Sequence, residues 1–254
     1  MLKETLERME RTLPFRSFSD DQQRWGAVSA ECAERIGPIA QALLAQVPSP
    51  ALTRVLAQST CEILSSHQPR VEMAEFRIRP SSDYYAHWRR RPPRPEDPLG
   101  TDATGLAITL ALCRGFATTD HANPPFLALD FEVWGAHERE RFADLLRDHR
   151  YLTDMLVTRS GAALFTSCVF QNIVDADYVS TFEKLLLYYE NRTDPENQFA
   201  LQCKFGAKSN EADILHALSV ALALYDGALG YCLPLAHRER LLDHVGTAVS
   251  LHRG

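Results

Sequence analysis

The chain has 254 residues, enough for one large domain or two small ones with a substantial core. Its 45% hydrophobic and 24% charged residues are ordinary globular composition, and a net charge of −6 argues against a general polyanion binder while leaving room for a local basic patch. The N-terminal MLKETLERMERTL lacks the apolar run of a signal peptide, and the best membrane-span candidate, residues 214–229, is interrupted by His216, Ser219, Tyr225, Asp226 and Gly227. The expectation is a soluble, cytoplasmic protein that does not engage membranes. The six cysteines are scattered without CxxC spacing, as reduced and mostly buried thiols would be.

In chain order, Leu2, Leu6, Met9 and Leu13 form a helical stripe that Pro14 ends. Ser19 and Gln22 fit a capping box for a helix carrying Trp25, Val28, Cys32 and Ile36, with a kink or break expected at Gly37-Pro38. Ile39, Leu43 and Val47 resume that face. Ser49-Pro50 opens a further helix, read through Leu52, Val55, Leu56, Ile63 and Leu64. Residues 71–79 then alternate as a strand, and residues 80–100 form a long loop with five of the 14 prolines.

Residues 105–135 form the centre of the sequence. Leu106, Ile108, Leu110 and Leu112 alternate with Ala107, Thr109, Ala111 and Cys113, so one face of this strand is aliphatic and the other small. In the next strand Leu127, Leu129, Phe131 and Val133 alternate with Ala128, Asp130, Glu132 and Trp134. With both aliphatic rows on the core, Asp130 and Glu132 must share a face with the small row. Two carboxylates so placed repel, and they need solvent, basic partners or a cation.

Beyond this hairpin the pattern predicts a helix through Phe142 and Leu152, a buried strand over 162–170, and a helix through Val179 and Tyr189. A strand over 199–205 follows, then a helix capped by Ser209 and a last helix over 237–251. The architecture expected is α+β, one domain over 1–254. It comprises an N-terminal helical bundle (1–68), a mixed sheet of about five strands with covering helices (71–205) and C-terminal helices (209–251).

Two functional surfaces follow. The first is a basic aromatic segment, Tyr84, Tyr85, His87, Trp88, Arg89, Arg90, Arg91 and Arg94, continued by Arg77 and Arg79. Arginines beside rings suit phosphates and bases, and equally a protein partner, since these residue types dominate interface hot spots. The leading expectation is thus a binding or accessory protein that docks a protein or a nucleic acid without a cofactor. The second surface is the polar face of the sheet. Asp130 and Glu132 could hold Mg²⁺ or Mn²⁺ while Lys204 stabilises developing negative charge, as a metal-dependent phosphodiesterase or nuclease would require.

Asp194 with Gln202-x-Lys204 superficially resembles the PD-(D/E)XK nuclease signature, with Gln in place of an acid. The resemblance implies an acid and the x-Lys element on adjacent antiparallel strands, whereas two helices and a strand separate Asp130 from Lys204 in the chain. Alternatively, Glu75, Arg77 and Arg79 answer Asp130 and Glu132 as cross-strand pairs. A third class is a small-molecule site between the N-terminal helices and the sheet, with no residues to assign. No zinc spacing, GxSxG, GxGxxG or Walker loop is present.

Overall fold

A computed structural model describes residues 1–12, 22–47, 50–65, 72–81, 106–114, 124–133, 136–149, 167–170, 173–175 and 199–232. The predicted helices at 179–189 and 237–251, the Ser19 cap, and residues 162–166 of the predicted strand lie outside them. The described elements are α1 (Leu2–Thr12), α2 (Gln22–Leu44), α3 (Pro50–Ala57), α4 (Ala136–Asp148) and α5 (Glu211–Cys232). The strands are β1 (Ser59–Ser65), β2 (Glu72–Pro80), β3 (Leu106–Arg114), β4 (Pro125–Val133), β5 (Ser167–Phe170), β6 (Ile173–Asp175) and β7 (Phe199–Phe205).

The sheet has the order β1-β2-β3-β4-β7-β5-β6, and every pairing is antiparallel. Five long strands carry it and two short ones extend it. The expectation of a mixed sheet is therefore corrected. Alternating helices and strands after β4 suggest parallel crossovers, but β7 returns beside β4 in the opposite direction and β5 and β6 pair outward from β7.

Period-2 alternation decides which face the helices cover. Leu106, Ile108, Leu110 and Leu112 of β3 stand opposite Val133, Phe131, Leu129 and Leu127 of β4, and all are buried. Leu201, Cys203 and Phe205 of β7 continue the same face. Onto it pack Leu6 and Met9 of α1, Ile36 and Leu43 of α2, Val55 of α3, Phe142 of α4 and most of α5, in one continuous cluster. Phe131 meets Phe142 edge to face, centroids 5.8 Å apart, a geometry favoured by the ring quadrupoles.

Two local readings are corrected. α2 does not break at Gly37-Pro38 but continues as one helix to Leu44. Pro38 cannot donate to the carbonyl of Glu34, but buried Cys32, Ile36, Ile39, Ala40 and Leu43 continue one apolar stripe across it, and that packing outweighs one lost hydrogen bond. α3 stops at Ala57, and Ile63 and Leu64 belong to β1, paired with Phe76 and Glu75. The cap of α5 also shifts by one: Asn210 Oδ1 accepts from Ala212 N–H at 3.2 Å.

α5 is long and apolar enough to cross a membrane by length and composition, yet 83% of that stretch is buried within the fold. An all-round apolar helix with this burial is a central core helix. Two of its polar side chains are answered internally: Asp226 Oδ2 accepts from Arg54 Nη2 at 3.0 Å, and the Tyr225 hydroxyl lies 2.9 Å from Ser59 Oγ. These contacts fasten the α3–β1 corner to the core.

Candidate functional site on the polar face of the sheet

The face away from the described helices is set by the same registers. Glu62 stands opposite Arg77, Arg77 opposite Thr109, Thr109 opposite Asp130, Asp130 opposite Gln202, and Gln202 opposite Ser167. Directly opposed residues project to the same side, so β1, β2, β3, β4 and β7 contribute Glu62, Arg77, Thr109, Asp130 and Gln202 to one polar row. Flanking it are Ala107, Ala111 and Ala128, small residues that are themselves buried. Glu132 lies two residues from Asp130 on β4, and Lys204 lies two from Gln202 on β7. Lys204 and Asp130 are thus diagonal neighbours on adjacent strands, with Cα atoms about 7–8 Å apart.

The centre of the row is enclosed and its margins are open. Asp130 is 4% exposed and Thr109 3%, whereas Glu132 and Gln202 are half-buried and Lys204 is exposed. The Thr109 hydroxyl has no hydrogen-bond partner, an arrangement that costs stability in a buried group. The Lys204 ammonium sits 5.3 Å from the centroid of Phe126, within cation–π range. Burial pushes the Cys203 thiol up, and the neighbouring Asp130 charge pushes it further.

On the β1–β2 side the charges answer one another. Arg77 Nη2 donates to Glu75 Oε2 at 2.6 Å, and Arg79 donates to Glu62. The expected cross-strand pairing of these arginines with Asp130 and Glu132 is corrected, because β3 lies between β2 and β4 and Thr109 separates Arg77 from Asp130.

The structure therefore brings together Asp130, Glu132 and Lys204 on one side of two neighbouring strands, and it places Arg77 and Arg79 two strands away on the same side. Tyr84, Tyr85, His87, Trp88, Arg89, Arg90, Arg91, Arg94 and Asp194 lie outside the described residues. Thr109 and Glu62 belong to the row but escape a reading of single strands. Their signal is pairing, which alternation within one strand does not carry. Among the described residues no three His, Cys, Asp or Glu side chains gather as metal ligands. Between α1, α2 and the start of α5 lies a cavity of about 240 Å³ lined by residues including Leu2, Ile39, Leu43, Gln46 and Ile214, below the usual range for ligand pockets.

The chain matches no protein-family model, no curated protein and no solved structure.

Proposed function

We propose that this is a binding or accessory protein whose partner is another protein, met on the polar side of the sheet and by the basic aromatic segment at residues 84–94. The supporting observation is the row from Glu62 to Gln202, which gathers polar side chains from five strands on the side opposite the described helices. A protein partner is favoured over a nucleic acid because Arg77 and Arg79 are held by Glu75 and Glu62. On this side four acids (Glu62, Glu75, Asp130, Glu132) stand against three bases (Arg77, Arg79, Lys204), which gives no electrostatic footprint for a polyanion. The free thiols of Cys32, Cys61, Cys113 and Cys203 fit a reducing, cytoplasmic setting.

The test is affinity capture with the purified chain from nuclease-treated extract, wild type against Arg89→Ala/Arg90→Ala/Arg91→Ala and against Lys204→Glu. Specific protein capture should be lost in both variants while their melting temperatures stay at the wild-type value. Capture unaffected by either variant, or abolished by the nuclease, would overturn the proposal.

A second reading is favoured by one observation: β4 and β7 are antiparallel neighbours, with Asp130 opposite Gln202 and Lys204 two residues on. The separation in sequence that opposed a phosphodiesterase is therefore bridged by the topology. In this reading Asp130 and Glu132 supply two carboxylates to Mg²⁺ or Mn²⁺, water and a substrate phosphate complete the shell, and Lys204 stabilises charge on the phosphate. Hydrolysis of a phosphodiester substrate that requires the metal and disappears in Asp130→Ala supports it. Absence of metal-dependent hydrolysis by the wild-type chain refutes it.

A further inference from the structure

Among the described residues, apart from Met1, the large apolar side chains that remain exposed are Leu56 at 40%, Ile63 at 50% and Leu64 at 38%. They fall within nine consecutive positions in or beside β1, the outermost strand of the sheet, whose strand neighbour among the described residues is β2. An edge strand presents backbone N–H and C=O groups that only another extended chain can pair in a ladder, and proteins commonly guard such edges with lysine, proline, a bulge or a very short strand. β1 has seven residues, contains neither Lys nor Pro, and pairs with β2 in unbroken register. Its one charge, Glu62, is bound by Arg79. Gly37 of α2 approaches Ile63 so closely that a Cβ there would lie 2.9 Å from its Cδ1, yet half of Ile63 stays uncovered.

We propose that β1 is a self-association edge: β1 of a second copy adds antiparallel to it, and the two sheets continue as one. The edge carries no unanswered charge to select a charged peptide, whereas its own sequence is self-complementary. A two-fold axis at Ile63 sets Ile63 against Ile63, Leu64 against the Glu62 stem, and Cys61 against Ser65, with no like charges opposed. An axis at Glu62 would oppose two carboxylates. Isologous contact of this kind is the commonest route to closed dimers.

The experiment is sedimentation velocity on the purified full chain over micromolar concentrations. Wild type should show a concentration-dependent dimer. Ile63→Lys should weaken it ~100-fold, because two ammonium groups would face each other across the axis, and Ala30→Lys on the exposed side of α2 should leave it unchanged. Should Ile63→Lys fail to fold, Ile63→Cys in a Cys61→Ser background keeps the proposal testable. Its opposed Cβ atoms would lie about 4.5–5.5 Å apart, within reach of a disulfide after a small shift, so mild oxidation should give a covalent dimer. A monomer throughout, a dimer indifferent to Ile63→Lys, or no crosslink through residue 63 would overturn it.

Discussion

At the scale of single residues, the core encloses polar groups that the fold has to answer. The Asp226 carboxylate is fully buried and is held by Arg54, whose side chain is 34% exposed. Arg54→Ala should cost about 2–3 kcal/mol in a denaturant titration, somewhat less than for a fully enclosed pair because solvent already reaches the guanidinium. Asp226→Asn should cost less, since Arg54 can then turn to water. The Cys32 thiol makes a different kind of contribution. Burial first, then the Glu31 charge, opposed by Arg35, raises it from 9.0 to about 12. A raised thiol holds its proton in the folded chain after the unfolded chain has released it. Its stabilising effect is complete below pH 9 and falls away as pH rises toward 12. Stability measured against pH should therefore decline more shallowly in Cys32→Ala than in wild type over that window, by up to about 1.4 kcal/mol per pH unit. Parallel curves would show that Cys32 titrates normally.

At the scale of elements, amphipathic periodicity made most of the architecture legible and failed where two patterns overlap. Leu52, Val55 and Leu56 set a helical stripe, and Ile63 falls seven residues later, where a helix would bring it to the same face. The missing signal lay between them: Ser59 and Thr60 occupy the positions a helix would need apolar, and β1 begins there. Pro38 misled in the opposite direction. Local propensity says break, but the stripe on either side is buried against β1 and β2, and tertiary packing decides. Because Pro38 is exposed, Pro38→Ala removes no packing and restores a donor for the Glu34 carbonyl. It should stabilise the protein by about 1–2 kcal/mol, the helix-interior penalty of proline less the entropy regained by the unfolded chain. Equal or lower stability would mean that α2 depends on its proline.

At the scale of the whole molecule, alternation in β3, β4 and β7 showed in advance which side chains face the core, including Leu129 and Phe131, both fully buried. It did not show which strands are neighbours. The placement of β7 against β4 brings Lys204 and Gln202 to Asp130, and Thr109 joins them only once β3 is paired in register. Long-range pairing is set by how the described helices and the sheet share one core, and no short window of sequence contains it. The basic aromatic segment at 84–94 remains a reading of composition, since its residues fall outside those described.

Everything assigned to the polar side depends on a register in which a shift of one residue would send Asp130 into the aliphatic core. The most direct measurement is the pattern of backbone proton contacts between strands by solution NMR. Cross-strand contacts should link Asp130 to Gln202 on one side and to Thr109 on the other, and Ala128 to Lys204. Contacts from Asp130 to Leu201 or Cys203 instead would mean that the carboxylate and the lysine do not share a face, and no site could then stand where we have placed it.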